Sequence, residues 1–525
     1  MRKKYKTYMV IAVMTSLSLL LAACTNAVTG GMDHSQMDMG DGKISAEDIK
    51  KSSAPLVETP QVLSGNKINL SASEGQLDVG NDKTIPVYTF NNSIPGPQIR
   101  VKEGEKVSIT LTNNLPVPTT IHWHGLPVPN AMDGIPGVTQ NAIQPGEAFT
   151  YSFTATTPGT YWYHSHQDAV NQLDKGLYGS FVVEDASKSS DRDFTLMLDE
   201  WASSGTTSMD GMNMTDMDGM DMSNTESSGG EEAAHDMSMY DLYTINGKTG
   251  TATQTLTVKK GEKVRLRLIN AGFLTHPMHL HGHDFRVVAL DGQSLNEPTA
   301  LKDQLISIAP GERYDIEFVA DNPGEWLLEE HGDDPKVEGM RVKIAYEEHD
   351  GTSNDAENSS TTLPTFDMTS YGKADKKGLT PYQFYDVRYT MELGTKEQDG
   401  ETVYTLNGKT YPDTENIVVK KGDKVLVRMV NNSATDDHPM HLHGHFFQVL
   451  SKNGTDLTGS RVLKDTVNLK PGEEVIVAFI ADNPGNWMFH CHDLHHASAG
   501  MVTEVTYSDF KSTFVNDPKA GNKPE

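Results

Sequence analysis

Val101-Lys102-Glu103-Gly104-Glu105-Lys106-Val107 is the first of three versions of one phrase, which returns as Val258-Lys259-Lys260-Gly261-Glu262-Lys263-Val264 and Val419-Lys420-Lys421-Gly422-Asp423-Lys424-Val425. A second marker, Pro145-Gly146-Glu147, returns as Pro310-Gly311-Glu312 and Pro471-Gly472-Glu473, at steps of 165 and 161 residues. A third, Pro158-Gly159-Thr160-Tyr161-Trp162, returns as Pro323-Gly324-Glu325-Trp326 and Pro484-Gly485-Asn486-Trp487. Self-similarity at a fixed step marks a repeated structural unit. Three copies suit 525 residues, given about 150 residues per domain. Within each copy the apolar runs are short, β-branched and alternating, as at residues 106–112 and 475–480, with Gly, Pro and Asn between them. That pattern predicts antiparallel β-sandwiches with short turns. The expected domains are 60–187, 188–348 and 380–512. Residues 349–379, with the acidic stretch 351–360, read as a linker. Residues 513–525 read as a tail, disordered beyond Asn516.

The chain has 44 Lys and Arg against 72 Asp and Glu, a net charge of −28. This argues against nucleic acid or an anionic lipid surface as the main partner and favours cations, although acidic composition is also common in exported proteins. Cys24 and Cys491 are the only cysteines, and each has a separate task, so no disulfide is expected. Stability then rests on the core and on bound metal. The N-terminus reads Met1-Arg2-Lys3-Lys4-Tyr5-Lys6, then an apolar run over residues 9–23, short for a membrane span and apt for a signal peptide. Leu21-Ala22-Ala23-Cys24 resembles a bacterial lipobox. By that resemblance residues 1–23 are removed, Cys24 is lipid-modified, and 24–59 form a polar tether. The mature protein would be held at the outer face of the bacterial cytoplasmic membrane. An ordinary cleaved signal or an uncleaved anchor is the competing reading.

His490-Cys491-His492 sits in an extended run, so the two histidines project to one side and the cysteine to the other. One tripeptide can therefore serve two metal centres. On its own face Cys491 can join His496 and Met501; a thiolate, two imidazoles and a weak axial thioether are the ligands of a blue-copper electron-transfer site. A buried cysteine beside surface histidines is the alternative. Three further clusters weigh against it: His122-Trp123-His124-Gly125, His164-Ser165-His166, and His438-Pro439-Met440-His441-Leu442-His443-Gly444-His445. Each holds a His-x-His pair. The four pairs give eight imidazoles, leaving His438 and His496 for the thiolate.

In these four motifs, their order and their separations, residues 60–510 resemble the multicopper oxidase family. The resemblance implies an all-β chain of three consecutive cupredoxin-like Greek-key sandwiches binding four copper ions. Carried over residue by residue, it gives type 1 copper to His438, Cys491 and His496 with Met501 axial, and type 2 copper to His122 and His441. The type 3 pair takes His124, His164, His166, His443, His490 and His492. Electrons from donors oxidised near His496 and His438 would cross Cys491 to His490 and His492, and O2 would be reduced to water. Asp133 in Met132-Asp133-Gly134 matches the acid that the family places beside the trinuclear cluster; a turn-forming Asp-Gly is the plainer reading. Many bacterial relatives carry a glutamate after the last blue-site histidine. Here that position is Ala497, which puts the usual proton route in doubt and leaves His495 or Asp493 as substitutes.

The middle copy contains His276-Pro277-Met278-His279-Leu280-His281-Gly282-His283. Aligning Trp326 with Trp487 sets Glu329 at His490, Glu330 at Cys491, His331 at His492, Pro335 at His496 and Met340 at Met501. Without the thiolate no blue centre is expected; the remaining histidines read as remnants of duplication satisfied by structural hydrogen bonds, and an extra copper site there, lost on His279→Ala, is the alternative. The insert 203–239 carries Met209, Met212, Met214, Met217, Met220, Met222, Met237 and Met239 among Asp, Gly, Ser and Asn, with His235; Met32, Met37 and Met39 lie in the tether. Low-complexity filler is one reading. Soft thioethers that recruit Cu(I), as in the methionine-rich segments of copper-resistance oxidases, are the other. The expected function is oxidation of Cu(I), phenolic donors or both with O2 as acceptor, in copper tolerance. The alternatives are a laccase acting mainly on organic reductants and a non-catalytic copper-buffering lipoprotein. A monomer is favoured.

Overall fold

In each copy the lysine and valine that close the repeated phrase open a strand: Lys106–Asn113, Lys263–Asn270 and Lys424–Asn431. The preceding glycines, Gly104, Gly261 and Gly422, turn the chain at φ of 78, 91 and 94°, where a side chain would be strained. The first alternates buried and open residues, the other two are buried over runs of several residues, and each pairs antiparallel with the strand that follows its Pro-Gly-Glu turn: Ala148–Thr154, Arg313–Val319 and Glu474–Ile480.

The computed structural model describes residues 54–185, 190–203, 239–332, 334–348, 362–375, 377–398 and 400–524. The signal peptide, Cys24, the tether up to residue 53, residues 351–360 and every methionine of the insert but Met239 lie outside them. The described chain is all-β, with two sheets per repeat: four and five strands, then six and five, then seven and five. Two α-helices occur among the described residues, α1 (Ala169–Asp174) and α2 (Leu494–Ser498). The strands that carry or support the histidines are β1 (His122–His124), β2 (Gly159–His164), β3 (His276–Leu280), β4 (Arg313–Val319), β5 (Glu325–Glu330), β6 (His438–Leu442) and β7 (Asn486–Cys491). One apolar cluster runs from Leu196 in the second copy to Tyr507 in the third.

Three connecting segments are more ordered than their composition indicated. The last tether residues are pinned where Val57 and Glu58 donate backbone hydrogen bonds to Gln76 and Asn92. Tyr371, in the linker, is buried, and its hydroxyl bonds Val287 N and Thr299 O. The expectation of disorder beyond Asn516 is corrected. Gln144 Nε2 donates to Ala520 O, Ala142 N to Asn522 Oδ1, Gln167 Nε2 to Gly521 O and Lys523 N to Gln167 Oε1. The tail's own polar backbone and the Asn522 side chain thus supply the bonds that order it against the first copy.

Candidate metal centre

β1 and β2 pair antiparallel with His122 opposite His164, and β6 and β7 pair with His441 opposite His490 and Met440 opposite Cys491. Strand alternation sends His122 and His124 to one face, and His166, His443 and His492, one or two residues past their strands' ends, join the same cluster as their pair mates. The two faces meet: the His122 ring stacks on His443 at 4.0 Å and the His124 ring on His441 at 3.8 Å. All eight imidazoles are buried. Their nitrogens converge in groups, His124 with His164 and His492, His166 with His443 and His490, and His122 and His441 with His124. His122 Nε2, His124 Nδ1, His164 Nε2, His441 Nε2 and both nitrogens of His492 are buried without a hydrogen-bond partner among the described residues. Each such orphan costs about 1–3 kcal/mol, so a donor set of this kind fits metal ions that take up the lone pairs. Burial and the neighbouring rings push His124, His164, His441, His443, His490 and His492 below the ordinary imidazole range, and His166 to about 3. At neutral pH they are uncharged donors, the form metal binding requires.

The outward nitrogens are held by partners, and this fixes which nitrogen faces inward. Asp133 holds two rings: its Oδ2 accepts from His443 Nδ1 at 3.0 Å and its backbone oxygen from His122 Nδ1 at 2.9 Å. Carbonyls of Ser165 and Cys491 take His164 Nδ1 and His490 Nδ1, and His166 Nδ1 reaches the Pro524 carbonyl in the tail. The sequence reading missed Asp465. Its Oδ1 lies 3.1 Å from His124 Nε2 and its carbonyl 3.0 Å from His441 Nδ1, with Thr466 Oγ1 bridging both rings. Arg313 of β4 grips Asp465 through two 2.6 Å bonds. Burial raises the Asp465 pKa, but the Arg313 charge outweighs it and holds the carboxyl well below its ordinary range. The middle copy therefore supports the cluster although it supplies none of these eight histidines. A Cβ on Gly125 would fall 2.3 Å from Arg313 Nη2 and 2.5 Å from Asp465 Oδ2, which explains the glycine after His124.

On the opposite face of β7, Cys491 Sγ lies 3.7 Å from His438 Nδ1 and 3.6 Å from His496 Nδ1, and those nitrogens are 3.2 Å apart. Met501 is buried, and its carbonyl accepts from Cys491 N. Ser433 Oγ holds His438 Nε2 at 2.7 Å, and Tyr404 stacks on His496 at 3.9 Å. Burial pushes the Cys491 thiol up, so a soft metal must displace its proton. A cleft of about 300 Å³ opens at His496, walled by Asp436, Asp437, Asp493, Phe273 and Leu274. Met239 packs against the apolar cluster that includes Phe273.

Two profiles described as multicopper oxidase match the chain, one over residues 72–188 and one over 208–350 and again over 385–511. The chain belongs to the multicopper oxidase family. Multicopper oxidase MmcO of Mycobacterium tuberculosis is 32% identical, over 83% of this chain and 86% of that protein. A copper resistance protein A homolog of Pseudomonas syringae is 26% identical, over 85% of this chain and 93% of its own. The crystal structure of a multi-copper oxidase from Pseudomonas thermotolerans superposes with a TM-score of 0.64 at 26% identity, covering 85% of this chain and all of that one. This multicopper oxidase is accordingly a copper-dependent oxidoreductase with O2 as acceptor, using four copper ions.

In the oxidase's middle copy the register matches the sequence alignment, with His279 opposite Glu329 and Met278 opposite Glu330. His276, at the position of His438, is clamped between Glu200 Oε2 at 3.0 Å and Glu330 Oε2 at 3.2 Å. Burial opposes its charge, but the two carboxylates outweigh burial and hold its pKa up at about 9. A charged Glu-His-Glu triad replaces a blue centre. His283 is likewise satisfied, by Tyr346 Oη at 2.7 Å. Asp493 and His495, the expected stand-ins for the missing glutamate, have different partners. Asp493 Oδ2 lies 3.3 Å from His496 Nε2, and His495 Nε2 lies 3.2 Å from Tyr240 Oη.

Proposed function

We propose that this multicopper oxidase draws electrons from Cu(I), bound as substrate in the acidic cleft at His496, and serves copper tolerance. The cleft carries the reading. Asp436, Asp437 and Asp493 surround the exit of the Cys491 centre, and carboxylates beside a redox site favour a cationic donor. The net charge of −28 acts in the same direction, and the thioethers of residues 209–239 are ligands for Cu(I). A relative that aligns over 85% of this chain and 93% of its own length is named a copper resistance protein A homolog.

In this reading His438, Cys491, His496 and Met501 hold the type 1 ion, and His122 and His441 the type 2 ion. The two triads, His124, His164, His492 and His166, His443, His490, hold the type 3 pair. Bound copper supplies reversible one-electron chemistry, and four ions match the four electrons and four protons that turn one O2 into two waters. Cys491 is joined through the backbone to His490 on one side and His492 on the other, one member of each triad, which gives a covalent path to both. Asp133, bonded to rings of two sites, is the acid placed to hold a proton there. Lipid on Cys24 would keep the protein at the outer face of the cytoplasmic membrane; Cys24→Ala should release it from the membrane fraction.

Oxygen uptake with Cu(I) and with a phenol tests the donor. Asp436→Asn/Asp437→Asn should raise KM for Cu(I) about tenfold and leave the phenol unaffected, and deletion of residues 204–238 should slow Cu(I) oxidation alone. Equal effects on both donors would favour a laccase. No uptake with either would favour a copper buffer. Cys491→Ser should remove the blue absorption and turnover together.

A further inference from the structure

The middle copy holds half of a trinuclear cluster. His279, His281, Glu329 and His331 stand where the third copy has His441, His443, His490 and His492. In the third copy that half is closed by the four histidines of β1, β2 and the residues after β2. In the middle copy it is partly open, since the side chains of His281, Glu329 and His331 keep 11%, 19% and 26% of their exposure. The donors have nevertheless stayed together. His279 Nδ1 is 3.4 Å from His331 Nε2, His281 Nε2 is 3.1 Å from His331 Nε2, and Glu329 Oε1 is 3.0 Å from His281 Nε2. One nitrogen from each of the three histidines falls within a common 4.8 Å. His279 Nε2 is buried without a hydrogen-bond partner among the described residues. His331 Nε2 faces both other rings but has one proton or one lone pair to offer, so it satisfies one of them and not both. His276 and His283 in the same copy do find such partners.

We propose that His279, His281 and His331, with Glu329, form a mononuclear binding site for a divalent transition-metal ion, Cu(II) ahead of Zn(II). Imidazole nitrogen suits both ions, and Cu(II) stands above Zn(II) in affinity for nitrogen and oxygen donors. The set has no sulfur, so it does not select Cu(I), and the carboxylate adds affinity for a doubly charged ion. The two strands fix the spacing: β3 and β5 are hydrogen-bonded neighbours, His281 N donates to Leu327 O and His331 N to Pro277 O. Arg341 lies opposite Glu329 on the next strand and restrains the net charge that the carboxylate brings. The ion would be additional to the four of the oxidase and separate from the path through Cys491.

The test is metal content of the full-length oxidase, loaded with Cu(II) and desalted, in wild type and in His281→Ala/His331→Ala. The wild type should retain one copper ion more per chain than the variant, at equal blue absorption. In a parallel arm, copper-loaded wild type exposed to Zn(II) should take up at most one zinc ion, at the expense of that extra copper. Equal copper content in wild type and variant would overturn the proposal, as would loss of blue absorption in step with the lost ion in a folded variant. If the double variant does not fold, His331→Gln, at the most exposed ligand, should weaken retention of the extra ion at least tenfold. Unchanged retention there also overturns it.

Discussion

Gly311 and Gly472 hold the same place in two copies of one turn, at φ of 81 and 75°, yet their surroundings differ. A Cβ at Gly311 would lie 2.9 Å from His492 Cγ and 3.1 Å from His124 Cε1, whereas nothing comes within 4 Å at Gly472. Both alanine substitutions incur about 1–2 kcal/mol for a left-handed backbone. Only Gly311→Ala must also displace two rings of one triad. It should cut oxygen uptake at least tenfold and lower copper content while the blue absorption persists; Gly472→Ala should lower the thermal midpoint alone. Equal behaviour of the two variants would show that the close approach is irrelevant. His276 makes a second prediction. Its folded pKa, about 9, lies above the ordinary imidazole value, so its stabilising contribution is complete below about pH 6.5 and is lost as pH rises through 9. That contribution is on the order of 3 kcal/mol. The gap in thermal midpoint between wild type and His276→Gln should therefore be wide at pH 6 and close by pH 10. A gap independent of pH would show that His276 is neutral.

Each His-x-His pair was legible in the sequence because a strand has a period of two, although His166, His443 and His492 lie just past the ends of their strands. The repeats made β3 and β5 legible as copies of β6 and β7. What spacing could not show is support from outside the copy. Asp465 lies at a bend between two short strands, Val462–Lys464 and Thr466–Leu469, where a Lys-Asp pair reads as a solvated edge. Its partner Arg313 is 152 residues away, and no local pattern links them. The signal was present only as a pair of charges within the apolar run 462–467. β4 is nevertheless an element of the metal centre, because its arginine sets the carboxylate that orients His124 and His441. Arg313→Lys keeps the charge and loses the two-pronged grip, which a lysine cannot reproduce. We expect lower copper content and slower oxygen uptake with the type 1 absorption retained. Loss of thermal stability with full copper content would show that β4 is only packing.

At the scale of the molecule, the eight imidazoles come from the two ends of the chain, and the tail closes over the first of them. The Pro524 carbonyl holds His166 Nδ1, and Asp168 N, just after the pair, donates to Lys523 O. The tail is thus bonded on both sides of Gln167 and fixes the direction in which His166 presents its other nitrogen. A ligand that binds only the folded state adds RT ln(1 + [L]/Kd) to stability, so copper should raise the thermal midpoint of the intact protein. Removing residues 513–525 leaves every proposed copper ligand in place but frees the His166 ring to turn. The truncated protein should keep its blue absorption, hold copper less tightly at the triad of His166, His443 and His490, and gain less thermal stability on copper loading than the intact chain. Copper-free samples of both lengths serve as the control, since a tail that contributed packing alone would lower both midpoints equally and leave the copper-dependent increment unchanged.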